Sequence, residues 1–326
     1  MSCYQPPLTL TSNMLALVAE IAEQVGRLSA REEVAMPPQL RRGNRIRSIQ
    51  ASLAIENNTL SVEQVTAVLD GKRVLGLPRE IQEVRNAFAA YEAMPGWNAV
   101  SRTDLLAAHG QLLHGLIDDA GHFRRGGVGI YRGERLLHMA PPANRVAQLV
   151  DDLLGWLDTT DLPPLLASCV FHYELEFIHP FADGNGRMGR LWQTLILSRW
   201  RPVLAWLPVE SVIRDRQDAY YDALSAADQV AEATPFVEFM LQALQQALGE
   251  ALESQTVSSE QSSVQGSEQT PLLVLLAANP TLTARQAAER LGLSSRAVEK
   301  QLAALKAGGR LRRIGPNKGG YWQVVK

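Results

Sequence analysis

Twelve consecutive residues hold most of the chemistry that this 326-residue sequence can offer: His179-Pro180-Phe181-Ala182-Asp183-Gly184-Asn185-Gly186-Arg187-Met188-Gly189-Arg190. Gly184 and Gly186 let backbone amides converge. The segment then opens into a helical pattern whose first-turn amides lack internal partners, which suits an anion. Arg187 and Arg190 are three apart, so both guanidiniums project from nearly one face beside that cradle. Asp183 offers a hard oxygen of the kind magnesium takes. His179 has an ordinary pKa suited to general-base work near neutrality. The set points to phosphate chemistry. A plain helix-to-helix loop, rich in Gly, Asn and Asp for turn reasons, is the competing reading. His109, His114, His122, His138 and His172 lie outside the cluster and read as packing or surface residues.

The frame that must position these side chains reads as mainly α. Helical spacing runs through 14–28, 46–55, 80–91, 101–116, 144–157, 165–178, 187–199, 213–226 and 235–252. Ser61 is placed to cap a helix through Leu69, with Glu63 in its first turn, and Ser101 with Asp104 resembles a capping box. Between Gly121 and Leu137 the texture changes to glycine and arginine with Val128 and Ile130 alternating, which predicts a short β-hairpin or flap. Residues 254–270 carry six serines, four glutamines and no basic residue, which predicts a flexible linker.

Beyond the linker, residues 271–326 predict three helices and a hairpin, a winged helix-turn-helix. This segment has ten Lys or Arg against two acidic residues, a net +8, leaving the rest of the chain at −10. The overall charge of −2 therefore hides an acidic body joined to a basic module. Arg296, Lys300 and Lys306 on the presumed recognition helix, with Arg310, Arg312, Arg313 and Lys318 on the wing, could meet DNA phosphates. Docking to a protein is the equal alternative.

The twelve-residue segment matches in full the signature of the Fic family, His-Pro-Phe-x-(Asp/Glu)-Gly-Asn-Gly-Arg-x-x-Arg. The resemblance implies a multi-helix Fic fold over about residues 8–252 and transfer of AMP from ATP to a protein hydroxyl, with Mg2+. By that resemblance His179 deprotonates the incoming Ser, Thr or Tyr, and Asp183 is the magnesium ligand. Asn185, with the amides around Gly184 and Gly186, forms the phosphate cradle. Arg187 stabilises the departing pyrophosphate, Arg190 grips the γ-phosphate, and Phe181 packs the loop into the core. Relatives resembling the Doc toxin carry lysine where this chain has Gly186 and act as kinases; glycine fits the AMP-transferring arrangement.

A second stretch, Ser52-Leu53-Ala54-Ile55-Glu56-Asn57, resembles the inhibitory pattern (Ser/Thr)-x-x-x-Glu-(Gly/Asn) of self-restrained Fic proteins. The resemblance implies that Glu56 pairs with Arg190, by a bidentate carboxylate–guanidinium contact, and so excludes the γ-phosphate. Its plain reading is a helix end with Asn57-Asn58 as the stop. The flap, by the same resemblance, pairs with an extended target segment. Ile130 and Tyr131 are its candidates for touching target or nucleotide, and Tyr220 or Tyr221 are candidates for the adenine. The domain reading that follows is an N-terminal helical region with the inhibitory helix over 1–100, a Fic core over 101–253, the linker, and the basic module.

Composition sets the outer limits. With 46% hydrophobic and 20% charged residues the chain can build a sizeable core. Two cysteines, Cys3 and Cys169, exclude a disulfide scaffold and fit a reducing cytoplasm. The amino terminus reads as neither signal peptide nor anchor, and no apolar run is long enough to span a membrane. Three functions remain in view: a self-inhibited protein adenylyltransferase, a DNA-binding regulator whose Fic body senses nucleotide or oligomerises, and an enzyme that also removes AMP. Phosphocholine and UMP donors stay open beside ATP, and a homodimer is the family-level expectation.

Overall fold

A computed structural model describes residues 4–32, 37–132, 135–267, 271–316 and 320–325. Two compact units divide the chain, Met1–Leu252 and Glu253–Lys326. In the first, among the described residues, the helices are α1 (Ser12–Glu32), α2 (Pro38–Ile55), α3 (Val62–Leu69), α4 (Pro78–Ala93), α5 (Arg102–Leu112), α6 (Ala143–Thr159), α7 (Pro164–Ile178), α8 (Asn185–Trp200), α9 (Val209–Asp215) and α10 (Gln217–Val230), while α11 (Thr234–Ser267) begins in this unit and runs past Leu252. Between α5 and α6 stands one antiparallel hairpin, β1 (Gly129–Arg132) and β2 (Arg135–Met139), with a register irregularity between Ile130 and Tyr131.

The caps do what their residue types dictate. Ser61 Oγ accepts the amide of Gln64, whose side chain in turn accepts the amide of Ser61, so Gln64 completes the capping box. Ser101 Oγ accepts the amide of Asp104, but the Asp104 carboxylate takes the amide of Asn98 instead of closing the box. α7 is buried nearly all round, from Leu165 through Leu175, as an apolar helix at the centre of a bundle must be. It packs along α8, which buries Met188, Leu191, Trp192 and Leu195. These two central helices are joined by the residues 179–184, so the signature loop hangs from the most rigid part of the unit.

Two expectations are corrected. The helical pattern over 213–226 is interrupted: α9 ends at Asp215, the Arg216 amide turns back onto Val212 and Ile213, and α10 restarts at Gln217. Residues 254–267, read as flexible linker, continue α11 as helical backbone. The segment has no proline between Pro235 and Pro271, and a helix already running adds residues without a new nucleation cost. Serine and glutamine lower its propensity without stopping it.

The second unit has the expected order: α12 (Pro271–Ala278), α13 (Ala284–Leu291), α14 (Ser295–Ala307) and an antiparallel pair, β3 (Leu311–Ile314) with β4 (Tyr321–Val324). Thr283 and Gln286 form a capping box at α13, and Gly292 ends that helix in the left-handed region. Leu272, Leu276, Val298, Leu302, Leu311 and Trp322 make its core. Lys306 and Arg313 both approach the Trp322 ring, at 5.1 and 4.7 Å from its centroid. Lys318 lies outside the described residues. Among the described residues no helix is long and apolar enough to cross a membrane.

Candidate functional site

α7 ends where His179 takes the left-handed conformation, φ 49° and ψ 59°, its amide donating to Leu175 O at 2.9 Å. A non-glycine residue there costs about 1 kcal/mol or more and persists only where its surroundings hold it. Arg124 is what holds it. This buried guanidinium donates from Nε to His179 O at 2.7 Å and from Nη2 to Ile178 O at 3.3 Å. Nη1 reaches Gly126 O at 2.7 Å, Nη2 also reaches Pro141 O, and the Arg124 amide donates to Pro180 O. One side chain therefore fastens both the His179 turn and the two feet of the hairpin.

The loop's other face rests on His109 and Phe181, whose rings stack at 3.8 Å and 6°. His109 Nδ1 accepts the Gly121 amide at 2.9 Å, which fixes the tautomer and leaves Nε2–H to donate to Asp183 O at 3.0 Å. Asn185 spans the loop: its Oδ1 accepts from Phe181 N at 2.9 Å and its Nδ2 donates to Phe181 O at 3.0 Å. Both ends of that amide brace the loop, so Asn185 shapes the cradle more than it lines it. Gly184 sits at φ 84°, and a Cβ there would lie 2.6 Å from Leu113.

The two signature arginines take different partners, Arg190 with Ser52 and Glu56, Arg187 with Asp183 and Glu83. Arg190 is fully buried; Nε donates to Ser52 Oγ at 3.0 Å, and Nη2 donates to Ser52 O at 3.0 Å and to Glu56 Oε1 at 2.8 Å. The Glu56–Arg190 pair exists, though through one hydrogen bond where a bidentate contact was expected; Nε and the same Nη2 also serve the hydroxyl and carbonyl of Ser52. Burial opposes the Arg190 charge, but Glu56, then Tyr220 and Glu176, outweigh it and hold the guanidinium above its ordinary pKa. Gly186 makes the pair possible, since a Cβ there would stand 2.6 Å from Glu56 Oε1 and 3.0 Å from Arg190 Nη1. Asn57 at φ 68° stops α2, so the helix end and the placement of Glu56 beside Arg190 are the same feature. Arg187 donates to Asp183 Oδ1 at 2.8 Å.

A cleft of about 280 Å³ runs along these groups, lined by Glu56, His179, Asp183, Gly184, Asn185, Gly186 and Arg190 at one end. Phe177, Tyr220, Tyr221, Leu224, Ser225 and Asp228 line the other. Tyr220 is not a free ring edge: its hydroxyl lies 3.2 Å from His172 Nε2 and 3.4 Å from Glu176 Oε1. Glu176 also lines the cleft; burial works against its charge, yet His172, His179 and Arg190 keep its pKa below the usual carboxylate range. The side chains of Ile130 and Tyr131 lie outside the described residues, and only their backbone in β1 is placed.

Among the described residues no group of three His, Cys, Asp or Glu could cage a metal. A magnesium ion that keeps its waters and shares phosphate oxygens needs one or two carboxylates, and the half-exposed Asp183 meets that requirement. Sequence reasoning passed over Arg124, His109 and Glu176. Arg124 and His109 are ordinary residue types far in sequence from the signature, brought there only by the fold, whereas Glu176 stands one helical turn before His179 at the end of α7.

His109 carries a pH signature. Burial, the largest cause, depresses its pKa from 6.5 to about 4. The unfolded chain therefore binds a proton that the folded chain refuses between those values, so this group's contribution is complete above pH 6.5 and fades as pH falls toward 4. Moving from pH 7 to 4.5 should cost roughly 2 to 3 kcal/mol through His109. Urea unfolding of wild type and His109→Gln at both pH values should show a smaller acid loss in the variant; equal losses would exclude the burial of a neutral His109 as the cause.

The family model for the Fic/DOC family matches residues 99–197. Protein adenylyltransferase Fic of Culex quinquefasciatus is 30% identical over 216 residues, covering 62% of this chain and 41% of that one. The chain thus spans about two fifths of the length of the curated relatives it matches. The solved Fic-1 fragment from C. elegans shares the fold, with a TM-score of 0.61 at 23% identity over 75% of this chain and 73% of that one. A crystallised Fic family protein from Desulfovibrio desulfuricans G20 is 54% identical with a TM-score of 0.78. That alignment covers 99% of this chain and 98% of its counterpart, and with the signature assembled around one cleft this chain belongs to the Fic family.

Proposed function

We propose that the protein is a self-restrained adenylyltransferase that moves AMP from ATP to a Ser, Thr or Tyr hydroxyl of another protein or of itself. The observation that carries the reading is the 2.8 Å contact of Glu56 with Arg190 inside the cleft that His179 borders. A buried arginine in a glycine-opened phosphate loop, closed by an exchangeable carboxylate, is what a restrained nucleotide site requires. The named adenylyltransferase relatives point the same way.

The chain's own groups divide the work. The amides at the start of α8 and the guanidiniums of Arg187 and Arg190 would receive the phosphates. His179 would accept the proton of the target hydroxyl as its oxygen attacks the α-phosphorus and the bond to the bridging oxygen breaks, releasing pyrophosphate. Asp183 would hold Mg2+, which supplies neutralisation of the phosphate charge when bound. Gly186, lacking a side chain, leaves room for the nucleotide once Glu56 withdraws. Arg124 fixes the approach of the hairpin relative to His179, so a target strand added along β1 or β2 would arrive in register with the base. A reducing, cytoplasmic setting goes with this proposal on the scarcity of cysteine, two in the sequence. A homodimer is carried on family likeness.

The second unit supports a further role in the same protein, docking on DNA as a winged helix-turn-helix. Arg296 and Lys300 are exposed on α14, and Arg310 and Arg312 are exposed beside it. With roughly four phosphate contacts the slope of log affinity against log salt should be about −3.6. Fluorescence anisotropy of the full chain with mixed duplex DNA measures it; no binding at low salt would leave the unit as a protein-docking element.

Replacing His179 by Ala should lower incorporation of α-labelled ATP by at least about 100-fold while ATP binding persists, the loss expected of a positioned base. Near-wild-type incorporation would defeat that role. Glu56→Gly removes the competitor for the γ-phosphate and no catalytic group, so transfer should rise roughly 10- to 150-fold, the equivalent of about 1.5 to 3 kcal/mol. Arg190→Ala in that background should lower it again. A Glu56→Gly protein no more active than wild type at saturating ATP and magnesium would sink self-restraint and leave His179 untouched.

A further inference from the structure

A second network of charge reaches the signature from α4, apart from Glu56. Four side chains close a ring of alternating sign. Arg187 Nη2 meets Asp183 Oδ1 at 2.8 Å, and Arg79 Nη2 meets Asp183 Oδ2 at 3.2 Å. Arg79 Nε and Arg187 Nη1 then share Glu83 Oε1, at 3.4 and 3.6 Å. Both oxygens of Asp183 are therefore engaged by guanidinium. The other Glu83 oxygen accepts Asn58 Nδ2 at 2.9 Å, which ties the ring to the turn that follows Glu56.

The two arginines of this ring are not equivalent. Arg187 is buried, with 5% of its side chain exposed, and cannot leave its carboxylates without stranding a charge. Arg79 is 59% exposed and loses little by turning into water. A cation approaching Asp183 meets an oxygen that already accepts from Arg79, and like charges a few ångströms apart repel. We infer that Arg79 is a positioning residue for Asp183, holding that carboxylate in place of the cation, and that its withdrawal sets how much divalent cation the site needs in order to load ATP. This rests on the adenylyl-transfer reading of the cleft. It differs from the action of Glu56, which competes for Arg190 and so for the phosphate. Glu56 governs affinity for the nucleotide, whereas Arg79 governs the metal requirement.

The experiment is calorimetric titration of ATP into the full chain at stepped Mg2+ concentrations, in a Glu56→Gly, His179→Ala background that binds nucleotide without consuming it. Arg79→Ala should lower the Mg2+ concentration for half-maximal ATP affinity by about 2- to 5-fold, the worth of a largely exposed ion pair. Arg79→Lys, which keeps the charge, should return it toward the parent value. ATP affinity at saturating Mg2+ should be the same in all three, a result that a merely structural Arg79 would not give together with the shift. An unchanged Mg2+ requirement overturns the inference alone, as does a loss of affinity at saturating Mg2+, which would make Arg79 a phosphate ligand. No ATP binding by the parent background overturns the adenylyl-transfer reading and the inference with it.

Discussion

A guanidinium with 1% of its side chain exposed cannot be left without partners, and Arg190 is that group. Stranding a buried charge costs several kcal/mol, so something anionic must always stand before it. In the resting chain that something is Glu56, supported by the hydroxyl and carbonyl of Ser52. Much of the first unit serves this contact. α2 must end at Ile55, Asn57 must turn left-handed, and Gly186 must lack a side chain. The Thr59 amide is held by Glu80, and Gln217 Nε2 donates to Ile55 O, so α4 and α10 fasten the turn from both sides. Yet Glu56 itself is 32% exposed. The partner that must be present is also one that water can receive, which makes it exchangeable for another anion.

Holding geometry and exchanging charge fall to different kinds of interaction. Arg124 is satisfied by neutral carbonyls alone, from Gly126, Pro141, Ile178 and His179. No substrate competes for those contacts. His109 is kept neutral by burial and works as a donor, an acceptor and a stacking plate beneath Phe181. Asn185 likewise bonds only to main chain in the loop. The groups that face the cleft, in contrast, are paired by charge. The contacts that shape the loop are thus separate from the ion pairs that face the cleft.

What could be read from residues alone follows the same division. The signature, the stretch from Ser52 to Glu56, the capping serines and the hairpin are local patterns, in which residue type and spacing carry the information. Most helix cores followed from period. The brace residues were not legible: Arg124 sits in a glycine-arginine stretch that predicts only a turn, and His109 looks like any helix histidine. Their roles come from separations of 55 and 74 residues, which no local pattern encodes. The linker was misread for a related reason. Serine and glutamine composition describes how weakly a segment nucleates, whereas α11 arrives at Ser254 already formed.

The arginines of the site are each answered by a carboxylate, with Glu176 as a further buried carboxylate near Arg190. Glu56 answers Arg190, while Asp183 and Glu83 answer Arg187 and Arg79. A polyanion accompanied by a cation can therefore enter by exchange, each incoming charge replacing one of like sign, instead of adding net charge to a partly buried space. Exchange keeps the difference between resting and loaded states small, because the large desolvation costs of Arg190 and Arg187 are met in both. On the function proposed above, a small difference is what would let restraint be lifted by a modest signal, which a strong apolar plug in the same cleft could not offer. On that reading the carboxylates that would hold the site shut are the same chemistry that would let it open.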